Sequence, residues 1–251
     1  VAPLSKQGVA DRELVWDGIC RLGIFGGRLI AVESLRAATP EDLALAVSGS
    51  GLALALEARG HLVLHGSCVA IEGRGVCLLG PSGAGKSTLA AALQAAGHTL
   101  VSDAMTALDL EEAPRAFPGW GTLKLWPTTV SRLGLESLVT GRVHGESNKQ
   151  LCLPQGRVAA GLVPIQTFVI VGPGEASEPS WLGPAEGVMA LMQNAYLVDD
   201  MPAAAQPALL KLCARVVSSS SVARLDRGLT LDQLDVAVAT LERLALSPAV
   251  P

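Results

Sequence analysis

Gly80-Pro81-Ser82-Gly83-Ala84-Gly85-Lys86-Ser87-Thr88 is the stretch of this 251-residue chain whose residue types and spacing announce chemistry, because it fits the pattern G-x-x-x-x-G-K-[ST]. Each residue type has a task in such a phosphate-binding loop (P-loop, or Walker A pattern). The glycines let the backbone wrap closely around a phosphate, and the N–H groups of Ser82, Gly83, Ala84 and Gly85 converge on an anion. The N-terminus of the helix that follows adds a favourable dipole. Lys86 brings a cation to the β- and γ-phosphates, the Ser87 hydroxyl suits a magnesium ion, and Thr88 can donate near the α-phosphate. Asp103 is the acid that follows at the end of the next apolar run, where an α/β unit points its strand ends at the ligand.

Elements on either side must hold these groups in place. Two apolar strands, residues 61–71 and 76–79, flank Glu72-Gly73-Arg74-Gly75, which reads as a hairpin turn. The loop comes next, then an alanine-rich helix over 87–96 with Gly97 at its C-terminal cap, then a strand over 99–101 leading to Ser102-Asp103. The order strand, loop, helix, strand is a βαβ unit. Upstream, two apolar runs bounded by Gly and Ser within residues 14–34 suggest a hairpin. Thr39-Pro40-Glu41-Asp42 opens a helix, with Thr39 as N-cap and two acids in the first turn. Gly49 and Gly51 interrupt the apolar stretch 43–58, which reads as one helix or two. Downstream, residues 110–165 are rich in turn formers, and Ser147-Asn148-Lys149-Gln150 leads into an apolar triplet. A strand is expected over 165–171, helices over 184–196 and 202–217, a short strand over 222–225, and a last helix capped by Thr230.

Composition excludes several classes. Apolar residues make up 49% and charged residues 17%, so the chain can bury a core and is not disordered. The length suits one large domain, or one domain with an extension. Lys+Arg is 19 against Asp+Glu 23, and the net charge of -4 lacks the basic excess of a nucleic-acid binder. Aromatic residues are 3%, too few for a stacking platform. The most hydrophobic region is broken by Glu57, Arg59 and His61, so no span reaches the roughly 18 apolar residues of a membrane helix. The N-terminus shows no signal-peptide core, and the expected location is cytoplasmic. Cys20, Cys68, Cys77, Cys152 and Cys213 are scattered with no C-x-x-C pair, which argues against zinc and against a disulfide framework. The chain has neither the L-S-G-G-Q helix nor the apolar strand ending in Asp-Glu of a transporter ATPase. Its loop starts at Gly80 rather than near the N-terminus, unlike that of a typical nucleoside kinase.

Taken together, His65-Gly66-Ser67, Gly73-x-Gly75-Val76, the glycine-rich loop and Ala96-Gly97-His98-Thr99-Leu100-Val101-Ser102-Asp103 resemble the catalytic core of HPr kinase/phosphorylase and its relatives. Those relatives include kinases found with lasso-peptide precursors. The match covers residues 57–110, with Lys149 and the 222–225 strand as further support. The N-terminal residues do not look like the long regulatory domain of true HPr kinases, so the resemblance implies the catalytic module and not HPr as substrate. The fold it implies is α/β, a P-loop-containing central sheet flanked by helices, HPr-kinase/PEP-carboxykinase-like. An N-terminal α/β extension over 1–56 would precede a kinase domain over 57–251.

What the resemblance implies about activity is ATP-dependent phosphorylation of a serine hydroxyl on a protein or peptide, a lasso-type natural-product precursor being one such peptide. Mg2+-ATP would sit on Gly80, Ser82, Gly83, Ala84, Gly85, Lys86, Ser87 and Thr88, with Ser87 and Asp103 on the metal. Lys86, Asp103 and His65 would be the catalytic residues. An Asp-Asp pair usually ends the second strand of the unit in this family; here it reads Asp103-Ala104. Asp103 alone, Asp109 or Glu111 are the acids available for both tasks of the pair. His65 can orient phosphate or can be a satisfied core histidine, and Lys149 can contact phosphate or face water. Arg115, Arg142 and Arg157 are open to the same two readings. Trp120, Trp126 and Trp181 suit core packing or a peptide groove. Two rival functions stay beside the kinase: a nucleotide-binding regulator without transfer, for which Ala104 speaks, and a small-molecule hydroxyl kinase. Phosphorolysis is an expectation from the bifunctional relatives. Neither nucleic acid nor membrane is an expected partner, and oligomeric state is open.

Overall fold

The computed structural model describes residues 10–35, 38–143, 148–174, 178–227 and 231–246. Ser147 and the expected cap Thr230 lie outside these residues. The chain forms two compact units that divide between Val63 and Leu64. The expected boundary between residues 56 and 57 falls inside a helix.

The first unit starts with β1 (Arg12–Trp16), β2 (Cys20–Phe25) and β3 (Leu29–Ser34), an antiparallel meander where a hairpin was expected. Leu14, Leu22 and Val32 stand in register across it. α1 (Pro40–Ala46) is capped by Thr39, whose hydroxyl accepts from the Asp42 N–H while the Asp42 carboxylate accepts from the Thr39 N–H. The helix does not break at its glycines. It widens into a π-helical turn, Val47–Gly51, and runs into α2 (Leu52–Ala58). Gly51 permits this, since a Cβ there would stand 3.2 Å from Ile30 of β3. Cys20, Leu22 and Ala46 form the core of the unit, with Leu14, Ile30 and Leu43 packed on it.

β4 (Leu62–Leu64) leads out of this unit. The second unit continues with β5 (Gly66–Ile71), β6 (Arg74–Leu79), α3 (Lys86–Ala95), β7 (Thr99–Ser102), β8 (Thr106–Asp109) and β9 (Arg115–Ala116). There follow β10 (Leu123–Leu125), α4 (Pro127–Leu133), β11 (Val139–Arg142), β12 (Gln150–Cys152), β13 (Val163–Pro173) and β14 (Ser180–Trp181). α5 (Pro184–Gln193), α6 (Gln206–Val217), β15 (Ser221–Arg227) and α7 (Leu234–Leu246) complete it.

Together these elements make a mixed α/β fold with a central mixed sheet flanked by helices. Strands β8-β9-β13-β6-β5-β7 lie side by side, and β15 runs parallel to β13. β13 is also parallel to β6, while β5 is antiparallel to both β6 and β7. The unit expected as β6-α3-β7 therefore has parallel strands that are not neighbours, because β5 lies between them. The β5–β6 turn is two residues, Glu72 and Gly73, both at positive φ (50° and 79°), the geometry whose twist matches a tight hairpin. One face of the sheet packs Val69, Leu78, Val169 and Ala223 against Leu89 and Leu93 of α3 and Leu241 and Leu244 of α7. On β13 the next residue over, Phe168, is also fully buried, so this strand is covered on both faces. β10, β12 and β11 form a separate small sheet in that order.

Candidate functional site

β6 delivers the glycine-rich loop at its C-terminal end. Gly80 has φ 134°, and a Cβ there would stand 2.2 Å from the carbonyl oxygen of Val171 on β13, so the loop leaves the sheet in contact with the neighbouring backbone. Gly83 and Gly85 follow at φ 85° and 90°, and Gly85 caps α3 in a left-handed conformation that glycine adopts without strain. Lys86 is the first residue of α3 and is buried. Its ammonium donates to the carbonyl oxygens of Gly80 (2.7 Å) and Pro81 (3.0 Å), folded back onto its own loop. Burial, with repulsion from Lys149, lowers its pKa to about 8, and the attraction of Asp103 opposes this. The Thr88 hydroxyl stands 3.2 Å from that of Thr129 in the first turn of α4.

Asp103 sits just beyond β7. The Ser67 hydroxyl on β5 donates to its Oδ1 (2.6 Å), and the Lys124 N–H on β10 donates to its Oδ2 (3.0 Å). Two different strands thus fix the carboxylate, and each oxygen keeps a free lone pair. Ala104 follows with φ 65°, a left-handed backbone in a residue with a Cβ. His65 lies between β4 and β5. Its N–H donates to the Asn194 carbonyl oxygen (2.8 Å), and its ring is tilted against Tyr196 with centroids 5.9 Å apart. Burial first, then the Lys86 charge, hold its pKa down to about 4, so the ring is neutral at pH 7. Asn194 also accepts the Gly80 N–H on its side-chain oxygen (2.7 Å) and gives its amide N–H to the Ala190 carbonyl (2.8 Å). The turn after α5 therefore anchors both the start of the glycine loop and His65.

A cleft of about 230 Å³ opens here, lined by His65, the loop from Ser82 to Thr88, Ala104, Lys124, Trp126, Thr128, Thr129, Lys149 and Leu231. The Lys149 ammonium lies 5.5 Å from the centroid of the Trp126 ring, a cation–π arrangement on the cleft wall. A second cleft of about 680 Å³ shares His65 and Ser82 with the first and extends along Gly80, Pro81, the end of β13 and Arg224. The structure thus brings His65, Ser82, Gly83, Ala84, Gly85, Lys86, Ser87, Thr88 and Lys149 around one cleft, puts Gly80 on the wall of the next, and sets Asp103 within electrostatic reach of Lys86, Lys124 and His65.

Other candidates lie elsewhere. Asp109 is hydrogen-bonded to Arg115, and it accepts the Glu111 N–H at 3.1 Å, so this acid and this arginine serve each other. Arg142 is exposed on β11, and the Arg157 carbonyl accepts from Gln94. Trp120 and Trp181 are exposed and line neither cleft; Trp126 does. Sequence reasoning missed Lys124 and Asn194. Leu123-Lys124-Leu125 alternates, with both leucines buried, but three residues are too few to declare a strand. A solitary asparagine after a helix carries no such signal.

No group of three or more His, Cys, Asp or Glu converges as a metal cage among the described residues. A magnesium ion does not require one, since it keeps several waters and takes one or two protein oxygens beside substrate phosphates. Ser87 on the cleft and Asp103 with its free lone pairs fit that requirement. Among the described residues no helix is long and apolar enough to cross a membrane.

No family model matches this chain, and no curated protein matches it. Among solved structures it is similar to the HPr(Ser) kinase/phosphatase from Coxiella burnetii, at 14% identity over 73% of this chain and 96% of that one, with a TM-score of 0.40. A likeness of that degree establishes neither family nor activity.

Proposed function

We propose that this protein is an ATP-dependent, cytoplasmic kinase that phosphorylates a serine hydroxyl of a protein or peptide. One observation carries the reading: a left-handed glycine loop and a buried lysine at a helix N-terminus lie within electrostatic reach of a carboxylate that two strands hold in place. The N–H groups of the loop and the dipole of α3 bind the phosphates. Lys86 leaves the Gly80 and Pro81 carbonyls and turns its ammonium to the phosphate oxygens. Ser87 and Asp103 would hold magnesium, which would neutralise charge at the phosphate tail.

The acceptor approaches through the larger cleft, which meets the smaller one at His65 and Ser82. Its oxygen bonds to the γ-phosphorus as the bond to the β,γ-bridging oxygen breaks, ADP departs, and the hydroxyl proton passes to Asp103. Ser67 and the Lys124 N–H aim that carboxylate, and neutral His65 orients a phosphate oxygen or the acceptor. Catalysis is chiefly positioning and charge stabilisation.

Incubation with labelled ATP, magnesium and serine-bearing peptides tests this. Lys86→Ala is expected to abolish nucleotide binding in a folded chain. Asp103→Asn is expected to keep ATP binding within a few-fold while transfer falls by roughly 10²-fold or more. Transfer at the parent rate by the Asn variant removes Asp103 from the role of base. Ala104, where a second acid would stand, favours one other reading, a nucleotide-binding regulator. Tight ATP binding by the parent chain with no label on any serine peptide would select it.

A further inference from the structure

We infer that Lys124 grips the terminal phosphoryl group of the nucleotide and makes the site selective for a triphosphate over a diphosphate. The inference rests on the nucleotide-site reading above. Three observations lead to it. First, the placement: Lys124 is the central residue of β10, between buried Leu123 and Leu125, and strand alternation turns its side chain to the opposite side, where it lines the smaller cleft. Its own N–H is bonded to Asp103, so the ammonium is tethered within one side-chain length of the acid that faces the acceptor.

Second, the polarity of the cleft. Thr88, the residue after Lys86-Ser87, marks the nucleoside side of such a loop, and it is in contact with Thr129. Asp103, the base of the proposed transfer, marks the γ-phosphate side, and Lys124 is bonded to it through its own N–H. A phosphate chain held with its terminal unit beside Asp103 would bring that unit to Lys124.

Third, charge. Lys86, Lys124 and Lys149 all line the cleft, and among the described residues none of the three makes an ion pair with a carboxylate. Asp103 is nearby; its oxygens accept from Ser67 and the Lys124 N–H, and neither makes an ion pair with these ammonium groups. Such clustering is unfavourable until a polyanion enters, and the charge a triphosphate has beyond a diphosphate sits on its last unit.

Calorimetry with ATP and with ADP, each with magnesium, provides the test on the whole chain. The parent protein is expected to prefer ATP. Lys124→Met is expected to weaken ATP binding by roughly tenfold or more while ADP binding changes by less than about twofold. Lys124→Arg, which keeps the charge, is expected to keep the preference. Equal weakening of both nucleotides, or of neither, overturns the assignment, since a structural role would not distinguish them. A parent chain that binds both nucleotides equally overturns it too, and leaves the nucleotide-site reading standing. A parent chain that binds neither overturns both. If the methionine variant does not fold, amine acylation of the parent chain read by mass spectrometry decides: ATP is expected to protect Lys124 and ADP is not, and equal protection counts against the inference.

Discussion

Ala104 holds a left-handed backbone at φ 65°, one residue after the acid on which the proposed chemistry depends. A Cβ in that conformation costs about 1 kcal/mol, and asparagine tolerates it better because its short side chain bonds locally. Ala104→Asn is therefore expected to stabilise the chain by about 0.5–1 kcal/mol, read as a rise in the urea midpoint without a change in slope. An unchanged or lower midpoint would show that the backbone at 104 stores no strain. Residue-level legibility followed distance along the chain. The loop residues are consecutive, and Asp103 stands at the end of the next strand, so pattern alone reached them. Lys124 bonds Asp103 from 21 residues away, and Asn194 reaches Gly80 across 114. Partners that far apart are joined only by the sheet, and no local spacing encodes them.

At the scale of elements, the loop depends on the strand beside it. Gly80 passes so close to Val171 of β13 that a side chain there meets backbone rather than a yielding rotamer. Gly80→Ala is expected to cost about 2–4 kcal/mol, by strain and by separation of β6 from β13, with thermal unfolding as the measure. A loss below about 0.5 kcal/mol would show that the loop can move off β13 without penalty. The long strands and the helices were readable from apolar periodicity, as was the Thr39 cap, because each carries several residues of signal. β9, β10 and β14 are two or three residues long and lie among turn formers, too short for an alternation to declare itself. The Gly49 and Gly51 interruption left one helix or two open, and the chain runs through them as a π-helical turn between α1 and α2. The interleaving of β5 between β6 and β7 had no local signature at all, since pairing order is a tertiary property.

Across the whole molecule, the two compact units carry opposite responses to acid. In the first, burial raises the Glu57 pKa from 4.5 to about 7, against the opposing pull of Arg12. The folded unit binds more protons than the unfolded one between those values, so its stability rises as pH falls through the window. In the second, His65 is lowered from 6.5 to about 4, so the unfolded chain binds more protons there and stability falls as pH falls. Hydrogen exchange at pH 7 and pH 5, corrected for intrinsic rates, is expected to show α1 and α2 better protected at pH 5 and β5 and β6 less so. A shift of both units in one direction would contradict this. The strand order has a consequence for anyone moving this machinery into another scaffold. Because β5 separates β6 from β7, a transplant that starts at Arg74 with the loop strand would strip β7 of the neighbour it pairs with and Asp103 of the hydroxyl that aims it. The smallest portable piece has to begin no later than Gly66, upstream of the motif that would prompt the transplant.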